Sequence, residues 1–410
     1  MKAPSMTRSL AALLVPLAIL VARPAAQVFD ATEGATTDPY TAGDPTRMAE
    51  LGYQSFGPLA LGSWHGSDDV EKLIGPGRML WLETEHFLLG SPNQAYRIPA
   101  DRQQRAKLKR ELTELRSALP TVDPGVDVLD PWLRLHLLAR RCEAVYAEFQ
   151  EFMGVTDGDF PQTPRQVRGG ASFMGLGPYL GTKHKFSVLV FPNGSDLGRY
   201  TLKYMDRLYV SPKRYNQGWG KGVAFVTAPD LEGPLDDDTC MHCHIVYSVA
   251  HNLIDGYRNW CHDTPVWFKT GFAQIALRKI DPRYPNFDIP DDGRNRGRLG
   301  GDWNKIARNL AAHGRATPFA EMATWSGYGE FGYQDFVVAW SRVGFLIEAH
   351  GADAFRAFVH GMKDPFGRAF EPPPWEQVLE RQEEVVREVF GYANLAELDA
   401  AWQDHARRAR

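Results

Sequence analysis

Cys240, Cys243 and His244 form the one intact chemical motif of this 410-residue chain. They spell CxxCH. Two thiols at that spacing can bridge both vinyl groups of a haem, and the histidine beside the second thiol can ligate the iron. Cys142 and Cys261 are the other two cysteines. With haem on the first pair they would be left as the only pair; without haem, the thiols read as a disulfide or as structural cysteines. No short cytochrome-like domain surrounds the motif, and Met174, Met205, Met322 and Met362 are scattered candidates for a sixth ligand.

Further along the same predicted helix, Tyr247 and Ser248 precede His251. Zinc peptidases of the HExxH class place two histidines one helical turn apart, with the intervening Glu as general base. Their gluzincin branch takes its third ligand from a following helix, in a segment like PxWxxEGxA. Here Pro265, Trp267, Gly271 and Ala273 stand at that spacing; GVAFVTA at 222–228 precedes the helix, and LAELDAAW at 395–402 closes a helical half. From about Met79 to Arg408 the chain resembles a divergent gluzincin, or peptidase MA-like, domain.

The resemblance implies Tyr247 at the first ligand, Ser248 at the general base, His251 at the second ligand and Thr270 at the third. A neutral phenol and a threonine hydroxyl are poor zinc ligands, and a serine cannot replace a carboxylate that takes a proton from metal-bound water. His251 is the one metal-ligating residue left at these positions. His244 shares its helix face but lies about 10 Å away along the axis, too far for one ion. His242 or His262 could join either only through loop folding. Without a metal, His251 reads as a buried histidine bonded to Tyr247 or Thr270, and Trp260, Trp267 and Phe268 read as core.

The elements that must position these residues are predicted as follows. A loose segment at 27–77 leads to a strand in MLWLETEHFLLGSP from Met79. Helices follow at 107–119 and 132–153, the second carrying Leu135, Leu138, Cys142, Val145 and Phe149 on one stripe. Strands are expected at 185–191, closed by turn residues 192–195, and at 222–228. Asp238 and Thr239 are candidate N-caps of the motif helix, and Pro265 opens the next. After a Pro, Gly, Asp and Arg loop at 282–301, helices are expected at 303–312, 333–349, 352–362, 375–390 and 395–408. Strands first and helices after predict an α+β fold: a zincin-like small sheet to about residue 238, then a helical part over 239–410, in one domain spanning 78–410.

Composition is that of a globular protein, 44% hydrophobic and 23% charged. Lys2 and Arg8, an apolar run from Leu10 to Ala22 and small residues at 24–26 predict a signal peptide over 1–26 and an exported protein. Its removal takes away Lys2, Arg8 and Arg23 and no acid, moving the formal charge from -4 to -7. Such a chain is a poor partner for nucleic acid, and no membrane contact is expected beyond the export signal.

The expectation is an exported pseudopeptidase that binds a peptide or protein ligand in its former substrate groove, with an edge strand at 222–228 accepting an extended peptide. No cofactor is expected, zinc included. One rival is a c-type haem protein for electron transfer or sensing, using Cys240, Cys243 and His244. The other is a metallohydrolase with an atypical metal site.

Overall fold

A computed structural model describes residues 37–408, apart from 63, 164, 167–172, 218–221, 232–234, 289–300 and 367–370. The leader expected at 1–26 lies outside the described residues. Strands β1 (Tyr53–Ser55), β2 (Met79–Thr84), β3 (Phe87–Pro92), β6 (Phe186–Val190), β7 (Lys213–Asn216) and β8 (Val223–Thr227) build a six-stranded sheet in the order β1-β2-β3-β6-β8-β7. β3, β6 and β8 run parallel to one another, whereas β1–β2, β2–β3 and β7–β8 are antiparallel. β4 (Tyr96–Arg97) and β5 (Val128–Leu129) pair separately. The architecture is α+β.

Helices cover both faces of the sheet. They are α1 (Pro45–Glu50), α2 (Ser67–Ile74), α3 (Arg102–Arg116), α4 (Pro131–Met153), α5 (Gly194–Tyr204), α6 (Asp238–Gly256) and α7 (Val266–Ile280), then α8 (Trp303–Ala312), α9 (Phe319–Met322), α10 (Tyr333–Lys363), α11 (Trp375–Val385) and α12 (Leu395–Arg408). Side chains of a strand alternate between faces. Met79 and Trp81 therefore pack with Val70 and Ile74 of α2 and Leu197 of α5, while Leu80 and Leu82 join the main core with α4, α6 and α7. Among the described residues, no helix is long and apolar enough to cross a membrane.

Several predicted elements take a different form. The single strand expected from Met79 is the β2–β3 hairpin. Residues 45–74, placed in a loose segment, form α1, β1 and α2: Asp44 caps α1, and the isolated apolar residues Tyr53, Val70 and Ile74 are each buried without any periodicity to announce them. Residues 192–195 do not close a turn, because the Asn193 side chain accepts from the Asp196 amide and starts α5. Strand 222–228 is interior to the sheet; the edge is β7, a strand the sequence did not announce.

α6 is caged on all sides, and every residue from Thr239 to Ile254 is buried. Its N-cap is Asp237, accepting from the amides of Thr239 and Cys240. Asp238 is not free for that role, because Arg141 of α4 takes its carboxylate at 2.8 and 2.9 Å. α7 packs on α10 at Gly271, where a Cβ would lie 2.4 Å from the Ala339 carbonyl oxygen and 2.5 Å from a Val343 methyl. Only glycine admits that approach. Trp267, fully buried, donates to the Gln382 side-chain oxygen at 2.6 Å, and with Phe268 it belongs to the core. α10 is broken at Gly351, whose φ of 83° separates the two helices expected at 333–349 and 352–362.

Candidate functional site

Tyr247, Ser248, His251 and Thr270 are brought together. Tyr247 and His251 lie one turn apart on α6, with ring centroids 4.8 Å apart. Thr270 faces them from α7, its hydroxyl 3.0 Å from that of Tyr328, which in turn lies 3.4 Å from His251 Nε2. The His251 ring is tilted 55° to that of Tyr247, and its hydrogen bond goes to Tyr328, which stands between it and Thr270, and not to Tyr247 or Thr270 as expected.

Three residues that the sequence did not single out complete the cluster: Arg214 of β7, Asp288 in the loop after α7, and Tyr328 between α9 and α10. Arg214 pairs with Asp288 Oδ1 at 2.7 Å, and the Tyr247 hydroxyl donates to Asp288 Oδ2 at 2.6 Å. The Tyr328 hydroxyl lies beside the Asp288 carboxylate and feels its charge. Arg214 donates at 3.5 Å to Ser248 Oγ, and its guanidinium lies 5.5 Å from the Tyr247 ring centre. His251 Nε2 stands 4.0 Å from Asp288 Oδ2.

These contacts set the charge states. Burial would raise the Asp288 carboxyl, but Arg214 and the two phenols override it and hold it below the usual carboxylate range. Burial, reinforced by the Asp288 charge, pushes the Tyr247 and Tyr328 phenols well up. Burial, Arg214 and Lys269 push His251 well down, so its imidazole is neutral near pH 7. The cluster is one cation and one anion held by two neutral phenols.

A zinc ion suits this arrangement poorly. The residue at the general-base position is a serine hydroxyl within reach of a guanidinium, and the ligand positions offer two hydroxyls and one imidazole. A fixed positive charge beside the site opposes a divalent cation and favours an anion, which here is the Asp288 carboxylate.

Comparison with family models, with curated proteins and with solved structures finds no match.

Cys240, Cys243 and His244 occupy the first turns of α6 and are 6%, 1% and 5% exposed. Cys243 Sγ lies 3.7 Å from the Asp281 carbonyl oxygen, while the His244 ring meets Phe225 of β8 edge-on at 5.2 Å. A porphyrin bound there would have to displace both the segment after α7 and a sheet strand. Cys142 points into the core from α4, and Cys261 abuts His262 in the α6–α7 connection, their Sγ and Nδ1 3.1 Å apart. The cysteines carry thiols, with no disulfide among them.

His242 and His262 are not part of this cluster, and each has a buried ring nitrogen without a hydrogen-bond partner. His242 lies 3.4 Å from Glu111, and burial lowers His262 to about 3. A separate group, Glu85, His86 and Asp157, has ligand-type atoms within 4.8 Å of one another. Its centre is a histidine held between two carboxylates, Glu143 at 2.6 Å and Asp157 at 3.1 Å.

Arg214 and Asp288 escaped the sequence reading because β7 is four residues long and polar, and because Asp288 belongs to a loop.

Proposed function

We propose that this chain is an exported, noncatalytic protein on a gluzincin-like scaffold that binds an extended peptide along the edge of its sheet. The observation that carries the reading is the Arg214–Asp288 pair, locked by Tyr247 and Tyr328 at the place where a hydrolytic zinc centre would need His, Glu and Glu. The preceding strand, the motif helix, the following helix with Pro265, Trp267, Gly271 and Ala273, and the helical C-terminal half support the scaffold assignment. β7 has no strand partner on its outer side among the described residues, so strand addition belongs there and not at 222–228.

We further propose that Cys240, Cys243 and His244 are structural. Metal analysis, haem staining and a peptidase assay on protein exported from a host with haem-attachment machinery test the whole proposal. The expected outcome is no tightly held zinc, no Soret band and no chelator-sensitive hydrolysis. One zinc per chain with such hydrolysis would establish an atypical metallohydrolase instead, and covalent haem would establish the rival haem protein.

A further inference from the structure

We propose that Arg214, Tyr247 and Tyr328 form a receptor for the carboxylate of a peptide, and that Asp288 is its built-in occupant. The inference rests on the peptide-binding reading above and names the group such a peptide must bring.

Two donors converge on one carboxylate, a guanidinium on Oδ1 and the Tyr247 hydroxyl on Oδ2, with the Tyr328 hydroxyl beside them. Guanidinium–carboxylate pairs are the strong, geometrically selective contacts of carboxylate recognition. Arg214 belongs to a sheet strand and Tyr247 to a helix caged on all sides. Tyr328 and the acceptor Asp288 come from loops, and Phe287, buried against Tyr333 and Phe336, anchors the acceptor's loop one residue before it. Asp288 thus reaches the donors by its own side chain, as an incoming carboxylate would.

A second observation points to a ligand at the same place. Asn216 lies two residues from Arg214 on β7 and so on the same face, while Tyr215 points the other way, its hydroxyl 2.8 Å from that of Tyr200. Both polar atoms of the Asn216 side chain are buried, and neither has a hydrogen-bond partner. Buried amides are almost always satisfied, and one with donor and acceptor both unused matches what a peptide group offers. A peptide added along the open edge of β7 would pass Asn216 and reach Arg214 roughly 7 Å further on.

The exchange conserves charge. A buried guanidinium left without an anion is strongly disfavoured, so the site passes from one carboxylate to another and is not emptied between them. The ligand is therefore a peptide presenting a carboxylate, with Asp288 competing for the same donors.

The test is calorimetric titration of wild type and Asp288→Ala with acetyl-trialanine bearing a free C-terminal carboxylate, and with its C-terminal amide. The expected result is that Asp288→Ala binds the acid about tenfold or more tightly than wild type does, and prefers it to the amide by a similar factor. Adding Arg214→Gln should erase the preference. Equal binding of acid and amide would overturn the carboxylate receptor while leaving strand addition standing, and no binding of the acid by Asp288→Ala would overturn it as well. Should Asp288→Ala fail to fold in sodium chloride, recovery of its unfolding transition in sodium acetate at equal ionic strength is expected; identical behaviour in the two salts would refute the proposal. Zinc with hydrolysis, by contrast, would remove the pseudopeptidase reading beneath it.

Discussion

Two buried arginines grip the same helix by different means. Arg141 of α4 holds Glu111 of α3 at 2.6 Å and Asp238 of α6 at 2.8 Å, and Lys107 of α3 bridges the same two carboxylates at 3.1 and 3.2 Å. Every charge there stands on a helix, and every carboxylate is shared. Arg214 has one carboxylate, supplied by a loop, and its other partners are neutral hydroxyls. The first cluster is a clamp that can lose no member without moving a helix. In the second, the cation stands on a strand while its carboxylate comes from a loop, which makes the anion the component open to exchange.

That contrast can be broken by substitution. The largest loss is expected from Arg141→Met, which leaves Glu111 and Asp238 to Lys107 alone: about 3–5 kcal/mol, read as a lowered urea midpoint. Arg214→Met strands one and should cost about 3 kcal/mol, but Arg214→Met with Asp288→Leu should recover most of it, because removing both partners of a buried pair is far milder than removing one. A double variant as unstable as the sum of the singles would show that Arg214 and Asp288 do not act as a unit. Thr270→Val leaves the Tyr328 hydroxyl short of a partner and should cost about 1 kcal/mol, whereas Thr270→Ser keeps the bond.

The smallest effects are in the pH dependence, and they run in opposite directions. The Asp288 and Asp238 carboxyls are held below their ordinary 3.8, so their contributions are whole above that pH and vanish as pH falls through the folded values. His86 is different: burial lowers it, but Glu143 and Asp157 override this and raise it above its ordinary 6.5. Its contribution is whole below 6.5 and fades as pH rises through the folded value. His242, His251 and His262, held neutral by burial, titrate the other way, so between roughly pH 5.5 and 8.5 His86→Gln should make the slope of melting temperature against pH more positive than in wild type. An unchanged slope would remove His86 from the account.

Much of this molecule could be read from its chain, and the parts that could not share a cause. The helix holding Tyr247 and His251, the following helix opened by Pro265, and the strand at 222–228 all announce themselves by apolar pattern and punctuation. Thr270 was set near Tyr247 and His251 by the resemblance, and in the fold Tyr328 links it to His251. Arg214, Asp288 and Tyr328 are invisible at that level, since a four-residue strand and two loops contribute them and only the fold makes them neighbours. CxxCH has the converse character: its spacing is local, but what surrounds Cys243 and His244 is set by Asp281 after α7 and by Phe225 of β8, distant in the chain.

Gly271 has a mechanical role beyond its fit. The main chain of α10 stands where its side chain would be, so the neighbouring Thr270 is positioned by a hard stop and not by the hydrogen bond it makes. The clearance of a single methyl group sets how far α7 sits from α10, and through Thr270 and Tyr328 how closely the polar cluster closes. Tolerance in this site is machined into a contact that contains none of its chemistry.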